Sequence, residues 1–97
     1  MSDLDRIKQT LKQNKTALAK EFKIKALGIF GSYVRGKQKK NSDVDILIEF
    51  SRTPGLFDYL KTENHLSRIL RKRVDLVMKG ALKPNIGKHI LREVVYV

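Results

Sequence analysis

The chain has 97 residues, 41% of them hydrophobic and 32% charged, a balance typical of one small folded domain and not of a disordered chain. No apolar stretch approaches the ~20 residues that a membrane-spanning helix needs, and the charged start MSDLDRIKQTLKQNK is unlike a secretory signal. Because cysteine is absent, disulfides, iron–sulfur clusters and thiolate zinc sites are excluded. We therefore expect a single cytoplasmic domain spanning residues 1–97, without a membrane partner.

The formal net charge is +11, from 21 Lys and Arg against 10 Asp and Glu. A field of this sign attracts polyanions, whether nucleic acid, nucleoside triphosphates or an acidic protein. A well-solvated basic surface explains the charge equally well. Aromatic residues make up only 7% of the chain and no nucleic-acid-binding motif is recognisable, so base stacking is not indicated.

The first half of the chain predicts a helix, a strand and a second, short helix. Apolar side chains recur on one stripe of residues 3–22, which predicts an amphipathic helix. The apolar run of residues 26–30 is too short for a helix and predicts a strand that Gly31 ends. A short helix follows, and the sequence RGKQKKNS of residues 35–42 predicts a basic loop.

The second half predicts two more strands and two more helices. Residues 43–50 are rich in Val and Ile and form the clearest strand, and residues 74–78 form another. Helices are predicted for residues 56–72 and from Pro84 to residue 93, whereas the last four residues are too few to assign. This order predicts an α/β (α+β) fold in which helices flank a small mixed sheet of three or more strands.

Three aspartates occupy positions where aspartate is unfavourable. Asp43 and Asp45 lie at the start of the second predicted strand, and because strand side chains alternate, both point to one face about 6.5–7 Å apart. Asp75 interrupts the apolar third strand. Like charges on neighbouring strands repel each other. Three carboxylates on one face would therefore raise one another's pKa unless a cation lies among them.

A divalent metal ion would supply that positive charge. Oxygen ligands without nearby His or Cys favour Mg²⁺, or Mn²⁺, over zinc, and Mg²⁺ usually completes its shell with water and substrate phosphates. Alternatively, Asp43 caps a turn and Asp45 faces water. Asp75 would then form an ion pair with Arg71 or Arg73.

The turn after the first strand is a candidate phosphate site. Gly31 permits close approach of the backbone to a ligand, and Ser32 can offer its hydroxyl and N–H groups to an anion. Arg35, about one helical turn later, can reach the same phosphates with its guanidinium group. Taken alone, a Gly-Ser pair is more often an ordinary turn, and Arg35 a solvated side chain.

These features together are more specific than each alone. In GSYVRGKQKKNSDVDILIEF, ten residues separate the Gly-Ser pair from the Asp43-x-Asp45 element, and VDLV follows after the next helix. This arrangement resembles the signature of the DNA polymerase β-like nucleotidyltransferase superfamily. The Arg35-Gly36 pair, Ser42 and the closing LKPNIGKHILREVVYV are similar to its minimal nucleotidyltransferase (MNT) branch.

The resemblance implies a polymerase β-like core and Mg²⁺-dependent transfer of AMP from ATP to a hydroxyl group. In that family the residues that match Asp43 and Asp45 bind two Mg²⁺ ions. The residue that matches Asp75 completes the catalytic metal site, and Asp75 is then the expected acceptor of the proton from the attacking hydroxyl. The Gly-Ser pair, here Gly31 and Ser32, holds the triphosphate.

The resemblance also implies a partner, because MNT proteins commonly act as antitoxins that transfer AMP to a tyrosine of a HEPN-domain ribonuclease toxin. A chain this short offers no second domain for a large acceptor, so the toxin or a second copy of the chain would complete the site. Other classes stay open. They are an antitoxin that only masks its toxin, a nucleic-acid-binding or nucleotide-binding module that acts by binding alone, and transfer to a tRNA end or a small antibiotic.

Overall fold

Helices and strands alternate along the chain in the computed structural model, which describes residues 1–97. In chain order the elements are α1 (Asp3–Phe22), β1 (Ile24–Phe30), α2 (Ser32–Arg35), β2 (Val44–Phe50), α3 (Leu56–Leu70), β3 (Val74–Met78), α4 (Pro84–Glu93) and β4 (Val95–Tyr96), with a 3₁₀ turn at Lys79–Ala81. No helix combines the length and the apolar character needed to cross a bilayer.

The amphipathic pattern at the start of the chain forms helix α1. The Ser2 hydroxyl accepts a hydrogen bond of 3.1 Å from the Asp5 N–H, which satisfies a donor that the first turn leaves free. The helix is followed by Lys23, whose φ of 56° lies in the left-handed region. Its buried stripe joins the hydrophobic core and consists of Ile7, Leu11 and Leu18.

The four strands form one mixed sheet in the order β3-β2-β1-β4. β1 runs antiparallel to both β2 and β4. β2 and β3 are parallel, and α3 provides the crossover connection that parallel neighbours require. The predicted small mixed sheet of three or more strands, flanked by helices, is confirmed.

The hydrophobic core lies between one face of this sheet and helices α1 and α3. Alternate strand residues such as Ile29, Ile46 and Leu76 are at most 3% exposed and belong to this core. Each fully buried side chain of this size contributes roughly 1.5–3 kcal/mol. Because strand side chains alternate, the intervening residues, which include Asp45 and Asp75, lie on the opposite face.

Several element boundaries differ from those predicted. β1 begins at Ile24 and not at residue 26, because Ile24 is buried and paired with the end of β2. β2 begins at Val44, so Asp43 precedes the strand that it was predicted to start. α3 ends at Leu70 and not at residue 72, since Arg71 adopts a left-handed φ of 55°. The last residues, too few to assign from sequence, pair with β1 as strand β4.

Candidate active site

The turn between β1 and α2 requires glycine at its first position. Gly31 has a φ of 81° and a ψ of −151°, a backbone conformation that residues other than glycine rarely adopt. A Cβ atom built on Gly31 would also overlap the carboxylate of Asp45. The turn therefore packs directly against the aspartate, and it places Ser32, half-buried, at the start of α2.

Two of the three predicted carboxylates lie side by side on the sheet. In the register of the parallel strands, Asp45 of β2 pairs with Asp75 of β3. On its other side Asp45 pairs with Phe30, the last residue of β1 and the one that precedes Gly31. The fold thus brings Asp45, Asp75 and the glycine turn to one edge of the face that α1 and α3 leave free. Asp75 is exposed there, whereas Asp45 is partly buried.

The electrostatics of Asp45 reflect this crowding. Burial and then the neighbouring carboxylates of Asp75 and Asp43 raise the pKa of Asp45 from 3.8 to about 6. The Arg35 guanidinium acts in the opposite direction, and Glu93 adds a smaller rise. Negative charge therefore accumulates at this edge of the sheet beyond what the nearby arginine compensates.

Asp43 lies just before β2 and interacts with a cation of the protein. Its Oδ1 atom is 3.7 Å from Nε of Arg73, the residue before β3. Arg73 thus pairs with Asp43. The ion pair between Arg73 and Asp75, which the sequence left open as an alternative to metal binding, is not formed. No group of three or more His, Cys, Asp or Glu side chains is gathered closely enough to hold a metal ion. The three aspartates therefore share one edge of the sheet without forming a closed ligand set.

The donor set at this edge fits a hard divalent cation. Asp45 and Asp75 offer only carboxylate oxygens, which Mg²⁺ and Mn²⁺ prefer. The raised pKa of Asp45 shows that an additional positive charge beside it would be favourable. Asp43 could join such a set by exchanging its exposed ion pair with Arg73, which is worth little in water.

Arg35 is bound by a residue that the sequence analysis missed. Oε1 of Glu93, the last residue of α4, accepts a hydrogen bond of 2.6 Å from Nη1 of Arg35. Oε2 of the same carboxylate accepts one of 2.8 Å from the Gly31 N–H. These two donors lower the pKa of Glu93 although burial opposes them. The only signal in the sequence was an acidic residue directly before the C-terminal VVYV, which does not indicate a partner.

Two local hydrogen bonds stabilise the basic loop between α2 and β2. The hydroxyl of the buried Tyr33 donates to the Ser42 carbonyl at 3.3 Å. The Ser42 hydroxyl accepts from the Lys39 N–H at 2.8 Å. Tyr33 is 3% exposed, so it packs in the core and does not offer its ring to a nucleotide base.

The candidate site lies apart from a surface cavity that adjoins the other end of β2. A surface cavity of about 530 Å³ lies at the opposite end of β2, where Phe50, Arg52 and Lys61 are among its lining residues. Asp45 stands near the start of β2, close to the glycine turn, and is remote from that cavity along the strand. The aspartates are therefore not part of that cavity, and Asp75 is exposed at the surface.

Comparison with known proteins identifies relatives over nearly the whole chain. The model of the nucleotidyltransferase domain family matches residues 11–97. Protein adenylyltransferase MntA of Thermococcus cleftensis is 47% identical over 97 residues, which cover 100% of this chain and 98% of that protein.

Solved structures share the fold. A minimal nucleotidyltransferase superimposes with a TM-score of 0.78 at 26% identity, covering 98% of this chain and 95% of the other. A chain from the complex of a tri-AMPylated Shewanella oneidensis HEPN toxin with an MNT antitoxin gives a TM-score of 0.61 at 19% identity, covering 97% of this chain and 67% of that one. By sequence and by fold, the chain belongs to the nucleotidyltransferase domain family, within its minimal nucleotidyltransferase branch.

Proposed function

We propose that the chain is a protein adenylyltransferase that transfers AMP from ATP to a tyrosine hydroxyl of a HEPN ribonuclease toxin and thereby acts as its antitoxin. The relative with 47% identity carries the name protein adenylyltransferase. A structural neighbour comes from a complex in which an MNT antitoxin is bound to an AMPylated HEPN toxin. Both support this acceptor class over a tRNA end or an antibiotic.

One observation carries the proposal. The register pairs Asp45 with Asp75, and the backbone of Gly31 lies directly against the Asp45 carboxylate. A phosphate-binding turn and two carboxylates on neighbouring strands are the parts that nucleotidyl transfer needs, because positioning and charge neutralisation provide most of the catalysis of phosphoryl chemistry. A merely structural aspartate pair would gain nothing from this repulsive arrangement.

The chain's residues take separate roles in this reaction. Gly31, Ser32 and Arg35 hold the triphosphate, and Asp43, Asp45 and Asp75 would hold two Mg²⁺ ions. When bound, Mg²⁺ supplies positive charge that stabilises the attacking and leaving oxygens of an in-line displacement. Mn²⁺ satisfies the same donors.

The bond changes balance without a further reactant. The acceptor oxygen forms a bond to the α-phosphorus of ATP, while the bond between that phosphorus and the oxygen bridging to the β-phosphate breaks. Pyrophosphate leaves, and the hydroxyl proton passes to the carboxylate of Asp75. Asp75 suits this role because it is exposed on the open face and can come within hydrogen-bond reach of an acceptor on another protein.

The test is to follow labelled AMP from ATP onto the HEPN partner in the presence of Mg²⁺. Asp75→Asn removes the proton acceptor and one oxygen ligand but leaves Gly31 and Ser32 intact. We expect ATP to bind and AMP transfer to slow by about 10²-fold or more, the usual scale for losing a general base. Asp58→Asn, an exposed aspartate on α3, is the matched control and should transfer AMP at the wild-type rate.

The outcomes separate the candidate functions. Equal labelling by the wild type and Asp75→Asn would exclude a catalytic role for Asp75. If neither protein labels the partner while toxicity is still suppressed, the chain acts by masking. Label found on RNA and not on the partner would identify a nucleic-acid acceptor.

A further inference from the structure

Glu93 joins two residues that the proposed function assigns to nucleotide binding. One carboxylate oxygen accepts from the Gly31 N–H at 2.8 Å and the other from Nη1 of Arg35 at 2.6 Å. The Glu93 side chain is only 20% exposed, whereas that of Arg35 is 53% exposed. The partly sheltered carboxylate therefore bridges the backbone of the turn and the arginine that follows it.

The backbone pairing of β4 places Glu93 at this point. β1 and β4 pair Gly28 with Tyr96 and Ile29 with Val95. Glu93 is the last residue of α4 and lies two residues before Val95, and Gly31 lies two residues after Ile29. The pairing of β4 with β1 thus brings the end of α4 to the turn that follows β1, where the Glu93 carboxylate contacts Gly31 and Arg35.

The two groups that Glu93 holds are intrinsically mobile. Glycine has more backbone freedom than any other residue, and an arginine side chain loses much rotamer entropy when it is fixed. Arg35 has five N–H donors and the structure uses Nη1 for Glu93, so the remaining edge of the guanidinium stays available for a phosphate. Fixing both groups in advance lowers the entropic cost of binding a triphosphate.

We propose that Glu93 is a positioning residue that fixes the Gly31 peptide and the Arg35 guanidinium for the triphosphate of ATP. This inference rests on the proposed nucleotidyl transfer. Glu93 does not touch the reacting atoms. Glu93 also connects the C-terminal segment α4–β4 to the turn that contains Gly31, so this segment contributes to the site.

The experiment measures binding of ATP with Mg²⁺ by titration calorimetry, together with the Michaelis constant and turnover of AMP transfer. Glu93→Ala should weaken ATP binding and raise the Michaelis constant about five- to fiftyfold, with a smaller effect on turnover. Glu93→Gln should recover part of this loss, because its amide oxygen still accepts from the Gly31 N–H. The matched control is Glu21→Ala, which removes an exposed glutamate near the end of α1 and should bind ATP like the wild type.

A double-mutant comparison tests the route through Arg35. If Glu93 acts partly through the Arg35 side chain, Glu93→Ala should weaken ATP binding by a smaller factor in an Arg35→Ala background than in the wild type. Urea titrations identify the folded variants, and Glu93→Gln keeps the test valid if Glu93→Ala is unstable.

The results distinguish this proposal from the proposed function. Tighter ATP binding by Glu93→Ala would overturn it, since Glu93 would then compete with the triphosphate for its donors. Unchanged binding by both Glu93 variants would overturn it as well, and would leave the proposed function intact. If the wild type itself binds no ATP, the proposed function and this inference fail together.

Discussion

At the scale of single residues, Asp45 links the site to the stability of the fold. Its pKa is raised from 3.8 to about 6 in the folded protein, so the folded state binds this proton more tightly than the unfolded chain. The free energy of unfolding therefore falls as the pH rises from 3.8 to about 6. The full shift corresponds to about 3 kcal/mol. Because the side chain is partly exposed, solvent screening leaves on the order of 1 kcal/mol.

We accordingly expect the metal-free protein to be more stable at pH 5 than at pH 8, as urea unfolding at the two pH values would show. Asp45→Asn should remove most of this difference and be more stable than the wild type at pH 8. Glu49→Gln is the control, since Glu49 lies on the same face of β2 in an exposed ion pair with Lys25 at 3.9 Å and should retain the difference. An unchanged pH dependence in Asp45→Asn would assign the effect to other groups.

Alternation within one strand predicts Asp43 and Asp45 on a common face, but β2 begins at Val44, so this rule does not reach Asp43, whose carboxylate interacts with Arg73. Asp45 and Asp75 are brought together by the register of two parallel strands. That register is a tertiary feature which no pattern within one strand gives. Glu93 could not be predicted, because its partners lie 58 and 62 residues away in the chain.

At the scale of elements, β4 shows how a short strand depends on a single glycine. A Cβ atom built on Gly28 would overlap the Val94 side chain and lie 3.2 Å from the Tyr96 ring. Gly28→Ala should therefore push β4 away from β1 and cost about 1–3 kcal/mol of stability, the usual range for overpacking. Because β4 fixes the position of Glu93, ATP binding should weaken as well. Urea unfolding and calorimetry would measure the two effects.

Gly80→Ala is the matched control for this substitution. Nothing lies within 4 Å of a Cβ atom at Gly80, and its φ is not positive, so stability and ATP binding should be preserved. If Gly28→Ala behaved like Gly80→Ala, β4 would tolerate displacement and could not be the element that positions Glu93.

Strand β4 could not be predicted from the sequence, whereas helix α1 could. Helix α1 carries several turns of apolar periodicity, and its predicted bounds, residues 3–22, are those of the structure. β4 has two residues, which is too short for any period to be read. Its existence follows from pairing with β1, a tertiary interaction that no local pattern encodes.

At the scale of the whole molecule, the net charge of +11 is spread over a body of 32 × 31 × 20 Å. The Debye length is about 30 Å at 0.01 M ionic strength and about 10 Å at 0.1 M. At low salt the entire basic surface therefore acts on an approaching anion, whereas at higher salt only the charges near the site do. The local charge differs from the total, since three aspartates lie at this edge of the sheet.

This difference predicts how ATP association depends on salt. Raising the ionic strength from about 0.01 M to about 0.1 M should slow the association of a fluorescent ATP analogue about three- to tenfold, because screening removes the attraction of distant lysines. Turnover under saturating ATP should change little, since it reflects contacts within the site. Reversing two exposed charges of α1, by Lys12→Glu with Lys15→Glu, should slow association at the lower ionic strength and leave it unchanged at the higher one. An association rate independent of salt would mean that the aspartates balance the basic surface locally, so that the net charge would serve a partner other than the nucleotide.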